Sequence, residues 1–114
     1  MTKEDEVETF LNDLKQKIKV HDLIFTEREK NRKTMTELEI YQSDCKKYIS
    51  KLKVENYCKG PFKDSQYGNT YWEFGIEIKK REIYIKLNYG LLNKPVICIS
   101  FHFAEHKIKY KFKK

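Results

Sequence analysis

Ile83-Tyr84-Ile85-Lys86-Leu87-Asn88-Tyr89, then a connection from Gly90 to Pro95, then Val96-Ile97-Cys98-Ile99-Ser100-Phe101-His102-Phe103: this stretch decides the fold. Strict alternation of apolar and polar residues in the first run predicts a strand with one buried face. In the second run Ile97, Ile99, Phe101 and Phe103 fall on one face, and Cys98, Ser100 and His102 on the other. Residues directly opposite in an antiparallel pair point to the same side of the sheet, so the two apolar sets must meet. Pairing Tyr89 with Ile97, Leu87 with Ile99, Ile85 with Phe101 and Ile83 with Phe103 satisfies this. The same register sets Tyr84 opposite His102, Lys86 opposite Ser100 and Asn88 opposite Cys98. A phenol, an ammonium and an imidazole then converge on the polar face, which makes that face a candidate site.

Working outward, Trp72-Glu73-Phe74-Gly75-Ile76-Glu77-Ile78 repeats the alternation. A four-residue turn, Lys79-Lys80-Arg81-Glu82, would pair Ile78 with Ile83 and Ile76 with Ile85. Glu77 then faces Tyr84, Gly75 faces Lys86 and Glu73 faces Asn88. Glycine there leaves room for a ligand backbone to approach. The polar face of any antiparallel meander also carries such residues simply because it meets water.

Ahead of these strands the period changes from two to 3.6. Thr2 with Asp5 three residues on resembles a capping box. Val7, Phe10, Leu11, Leu14 and Ile18 then recur at helical spacing up to about Lys19. Leu23-Ile24-Phe25 reads as a short strand or extended link. The charged run Glu27 to Lys33 reads as an exposed loop or helix start, with Met35 and Leu38 turned inward. Ser43 is placed to cap a further helix whose stripe is Cys45, Tyr48, Ile49 and Leu52. Tyr57-Cys58-Lys59-Gly60-Pro61-Phe62 contains a Gly-Pro turn signal, and residues 63–70 are polar and loop-like. After the last strand, Ile108, Tyr110 and Phe112 alternate with lysines, as in an edge strand blunted by charge. Helices first and strands last predict an α+β domain spanning residues 1–114. N-terminal helices pack on one face of a C-terminal antiparallel sheet of three or four strands.

With 114 residues, 39% hydrophobic and 36% charged, the chain has the composition of a single globular domain rather than a disordered or membrane-spanning one. No apolar run approaches the roughly 20 residues a bilayer requires, and the acidic N-terminus lacks a signal-peptide pattern. Three cysteines without a close pair predict free thiols in the cytoplasm and no structural zinc site. The net charge of +7 is uneven. Residues 79–114 carry ten Lys/Arg against Glu82 and Glu105, while residues 1–78 carry 14 basic and 15 acidic side chains. Such a basic segment favours a polyanion, nucleic acid before membrane. For the last few lysines a solubilising tail is an equally direct reading.

At this level of detail the chain resembles a known family. The element order, Tyr57-Cys58-Lys59-Gly60, Tyr71-Trp72-Glu73, Ile83-Tyr84-Ile85-Lys86 and Ile97-Cys98-Ile99-Ser100-Phe101-His102 resemble the MqsR-type (motility quorum-sensing regulator) toxins, most clearly between Leu38 and His102. The resemblance implies the toxin of a type II toxin–antitoxin system with a RelE-like fold. It also implies an endoribonuclease (mRNA interferase) that cuts messenger RNA and arrests growth, held by a cognate antitoxin, and acting either on free message or with the ribosome as a further partner. By the same resemblance Lys59 matches the lysine of the family's pre-sheet loop, Tyr84 and Lys86 its Tyr-x-Lys strand, and Trp72-Glu73 its Trp-Gln pair. His102 stands where the family has a lysine. Two positions therefore depart from the family pattern, a carboxylate for an amide and an imidazole for an amine.

Metal-independent RNA cleavage needs a base for the 2′-hydroxyl, an acid for the leaving 5′-oxygen, and cations around the phosphate; it leaves a 2′,3′-cyclic phosphate and a 5′-hydroxyl. Imidazole titrates nearest neutrality, which makes His102 an acid–base candidate. Lys59 and Lys86 supply fixed positive charge, Tyr84 orients the phosphate, and Glu73 or Glu77 is the carboxylate. Glu77, Arg81, Lys107 and Lys109 are the expected substrate contacts, with exposed aromatics such as Tyr67 or Tyr71 stacking on bases. His106 reads as a tail residue. No cofactor is expected. The alternative is a non-catalytic nucleic-acid-binding module that uses the same basic face.

Overall fold

The computed structural model describes residues 2–113. Three helices come first: α1 (Glu4–His21), α2 (Glu29–Leu38) and α3 (Gln42–Ser50), with the short strand β1 (Leu23–Phe25) between the first two. A 3-10 turn at Val54–Asn56 leads into β2 (Tyr57–Lys63), β3 (Thr70–Ile78), β4 (Arg81–Asn88) and β5 (Val96–Phe103). The architecture is α+β, as the change of period predicts. The sheet has five strands in the order β1-β5-β4-β3-β2, and it is mixed because β1 runs parallel to β5. β2, which the Gly-Pro signal marks as a turn, is a strand whose pairing with β3 is broken by two register shifts. No helix among the described residues is long and apolar enough to cross a membrane.

The helix stripes form one side of the core. Val7, Leu11, Leu14 and Ile18 of α1 and Cys45 and Ile49 of α3 are buried against Phe74, Ile83, Ile85, Leu87 and Phe101 of the sheet. Phe10 stacks on Trp72 with ring centroids 4.1 Å apart. The caps differ from expectation. Thr2 donates to the Gly60 carbonyl instead of opening α1, and in α3 it is Asp44 that accepts the Tyr41 N–H, with Ser43 already inside the helix.

Two register features differ from the simple alternation. The β3–β4 turn is two residues long, Lys79 and Lys80 with φ of 50° and 65°, so Ile78 pairs with Arg81 and Ile76 with Ile83. Positive φ at both central residues gives the twist that a two-residue hairpin needs, and the Lys79 ammonium bonds the Leu38 carbonyl at the end of α2. A displacement by two keeps each side chain on its face but changes its neighbours. In β5 the register shifts between Lys86 and Leu87: Lys86 meets Ser100, yet Leu87 meets Cys98. The extra residue Ile99 resets the alternation, as a bulge does. Val96 and Cys98 therefore join the core with Phe101, whereas Ser100 and His102 stay on the opposite face.

The edge of β5 beyond β1 is covered by α2. Asn31 donates to the Ile99 carbonyl (3.1 Å) and accepts the Phe101 N–H (2.9 Å), and Thr34 accepts the Phe103 N–H (3.1 Å). Asn31 and Thr34 are buried, so of the two readings of the charged run, exposed loop or helix start, the helix holds, and its inner face closes a sheet edge.

The C-terminal tail is not a strand. It crosses the polar face of the sheet. The Glu82 carboxylate accepts the Ile108 N–H (3.0 Å) and the Tyr110 hydroxyl (2.9 Å), and Phe112 stacks on Tyr57 at 5.6 Å. Gly75 lies underneath. A Cβ there would stand 2.5 Å from the Tyr110 hydroxyl and 2.7 Å from Ile108 Cδ1. The space that glycine leaves is filled by the chain's own tail, not left for a ligand.

Candidate active site

Rows of side chains on the polar face follow from the ladders. Lys59 pairs with Glu73, Glu73 with Lys86, and Lys86 with Ser100, giving one line across β2, β3, β4 and β5. The next line holds Gly75, Tyr84 and His102. With the tail as one wall, these rows floor a cleft of about 510 Å³ lined by Lys59, Glu73, Tyr84, Lys86 and His102 among others. All five catalytic positions expected from the sequence thus meet in one cavity.

Of the expected substrate contacts, Lys107 and Lys109 line the cleft from the tail. Glu77 and Arg81 do not. The two-residue turn puts Glu77 opposite Glu82, exposed to solvent and away from Tyr84. Arg81 stacks on the Phe103 ring at 3.7 Å and pairs with Glu37 at 3.7 Å. Once the hairpin is tightened, Glu73 is the carboxylate that faces Lys86, and Glu77 is not part of the site. Tyr71 lies under the Lys86 ammonium, 4.1 Å from the ring centroid, and beside Phe62 at 5.3 Å.

His102 is 8% exposed. Its Nδ1 is 2.9 Å from the Phe103 carbonyl oxygen, which can only accept, so Nδ1 carries a hydrogen. In the neutral ring Nε2 is then the acceptor, and in the cation a donor. The Tyr84 and His102 ring centroids are 5.3 Å apart. Burial, and then the neighbouring Glu73 carboxylate, push the Tyr84 phenol well above its ordinary range, so it stays a neutral hydrogen-bond donor. Cys58, half-buried in the same cleft, is raised by burial and by Glu73, against the lowering effect of Lys59.

Arg28, Lys30, Cys58, Ser100, Glu105 and His106, none of them among the expected catalytic or substrate-binding residues, also line the cleft. Arg28 donates to Ser100 Oγ at 3.1 Å, and Lys30 pairs with Glu105 at 2.7 Å. Ser100 was legible on this face from the alternation; Arg28 sits in a charged run with no period to place it. The cleft carries six basic side chains against Glu73 and Glu105, and three of the six (Arg28, Lys30, Lys59) lie outside the basic C-terminal segment. Among the described residues no group of three His, Cys, Asp or Glu side chains is arranged to hold a metal ion. The chain matches no family model, curated protein or solved structure.

Proposed function

We propose that this chain is a toxin of a type II toxin–antitoxin system, an endoribonuclease that cleaves messenger RNA in the cytoplasm by general acid–base catalysis and is held by a cognate antitoxin. The resemblance to the MqsR-type toxins motivates the reading. The single observation that carries it is the convergence of Lys59, Glu73, Tyr84, Lys86 and His102 in one basic cleft. Glu73 takes the proton of the 2′-hydroxyl, and the 2′-oxygen attacks the adjacent phosphorus. As the bond from phosphorus to the 5′-oxygen breaks, His102, protonated on Nε2, delivers a proton to that oxygen. Lys59 and Lys86 offset charge on the phosphoryl oxygens, and the neutral Tyr84 phenol donates to one of them. The protons balance: one leaves the 2′-oxygen and one arrives at the 5′-oxygen.

The test is cleavage of purified RNA in the presence of chelator, with the ends mapped. The expected products are a 2′,3′-cyclic phosphate and a 5′-hydroxyl, and expression of the chain alone is expected to arrest growth until the antitoxin is supplied. Activity abolished by chelator and restored by Mg²⁺ or Mn²⁺ would overturn the mechanism. RNA that is bound and left intact would point instead to a non-catalytic nucleic-acid-binding module.

A further inference from the structure

The cations of the cleft are not equivalent. Lys59 and Lys86 flank the Glu73 carboxylate in the strand register, Lys30 is taken up by Glu105, and Lys107 and Lys109 stand exposed on the tail. Among the described residues Lys30 is the one cleft cation in an ion pair, and Arg28 is the one whose side chain hydrogen-bonds a side chain of the sheet. Its backbone is held as well. The loop between β1 and α2 is pinned to β5 by Thr26, whose N–H bonds the Cys98 carbonyl and whose hydroxyl bonds the Ile99 carbonyl, and Asn31 repeats this one turn later. The guanidinium then reaches Ser100 Oγ at 3.1 Å with one of its five N–H groups. Ser100 is itself 1% exposed, so the acceptor is fixed in the sheet while Arg28, an exposed residue, has further N–H groups to offer a ligand.

Residues two apart on one face of a strand are separated by about 7 Å, so a phosphoryl group beside His102 lies within reach of an arginine held at Ser100. A guanidinium fork matches two phosphate oxygens at once, which an ammonium cannot do.

We infer that Arg28 is a further phosphate-binding residue of this cleft, acting beside Lys59 and Lys86 to clamp the phosphodiester that His102 and Tyr84 face. The inference rests on the nuclease reading for the reaction it serves, but the phosphate contact can be measured without turnover. The probe is a short 2′-O-methylated oligonucleotide of randomised sequence, which cannot form the 2′-alkoxide. Its binding is measured over a salt series for the wild type, Arg28→Ala, Arg28→Lys and the charge-matched control Arg32→Ala, an exposed arginine outside the cleft. Arg28→Ala is expected to weaken binding roughly ten-fold and to flatten the salt slope by about 0.7, the share of one single-strand phosphate contact. Arg28→Lys should keep the slope and recover only part of the affinity, while Arg32→Ala stays close to wild type. Cleavage of unmodified RNA by the same proteins separates the two readings. If the wild type cleaves and Arg28→Ala binds and cleaves equally well, the Arg28 assignment falls and the nuclease stands. If the wild type binds the probe through Arg28 and cleaves nothing, the assignment stands and the nuclease falls. Equal losses in Arg28→Ala and Arg32→Ala, or no binding by any of the proteins, would overturn the assignment.

Discussion

His102 is where chemistry and packing meet. Alternation alone treats it and Tyr84 as ordinary surface residues, whose truncation shifts stability by no more than about 0.5 kcal/mol. The tail and the Phe103 carbonyl change that expectation, because the imidazole is 8% exposed and hydrogen-bonded. His102→Ala is therefore expected to cost about 1–2 kcal/mol of stability, and on the order of 100-fold in cleavage if the ring transfers a proton. Tyr84→Phe removes one hydroxyl and should lower cleavage with little effect on melting. Phe101→Ala, at a position with no exposure, should cost about 3–5 kcal/mol. Melting and cleavage measured on the three variants separate the roles. Cleavage by His102→Ala that falls only with its folded fraction would make the histidine structural. At this scale the alternation placed Tyr84, Lys86, Ser100 and His102 correctly, because one buried face fixes all of them at once. Arg28 was invisible, since no period governs a loop residue whose partner lies 72 positions away.

Elements were legible where burial imposes a period and obscure where backbone groups need partners. The stripe of α1 and the strands β3 to β5 follow from side-chain pattern. The bulge at Ile99 does not, because Val96-Ile97-Cys98-Ile99 is apolar at every step and either parity buries something. The four residues Lys79 to Glu82 look like turn, yet two of them continue the ladder. The clearest gap is α2. Its sequence is charged, and its purpose lies in Asn31, which supplies β5 with both a donor and an acceptor where β1 has ended. Asn31→Ala leaves the Phe101 N–H without its buried acceptor, while the Ile99 carbonyl keeps the Thr26 hydroxyl as a donor, which should cost about 1–3 kcal/mol. Asn31→Asp removes the donor and should be no better. Hydrogen exchange at the Phe101 amide reads this directly. Protection there that survives in Asn31→Ala would mean that the edge is closed by something other than this side chain.

On the scale of the whole molecule, the basic excess in residues 79–114 does not gather in one place: Lys79 ties the hairpin to α2 and Arg81 covers Phe103, while Arg28, Lys30 and Lys59 enter the cleft from elsewhere. What the compact fold does collect is buried acids kept neutral. Burial raises the Cys45 thiol to about 12 and holds Cys98 well above its ordinary value. Burial with a neighbouring carboxylate raises Tyr84 beside Glu73 and Tyr110 beside Glu82. The sign of the linkage follows. Above the ordinary thiol and phenol values, 9.0 and 10.0, the unfolded chain releases protons that the folded chain retains, so stability falls as pH rises. Loss of lysine charge near the pI of about 9.2 acts the other way by easing self-repulsion, but apart from the buried Lys17 those charges are mostly at the surface and screened, whereas Cys45 and Cys98 are buried and Tyr84 and Tyr110 half-buried. The melting temperature is thus expected to fall steeply above about pH 9 to 10. Tyrosinate absorbance followed alongside should show Tyr84 and Tyr110 ionising only as the fold is lost. A melting temperature that holds or climbs through that range, or all eight tyrosines titrating in the folded protein, would mean that these phenols and thiols meet water, and that the tail does not close over the sheet.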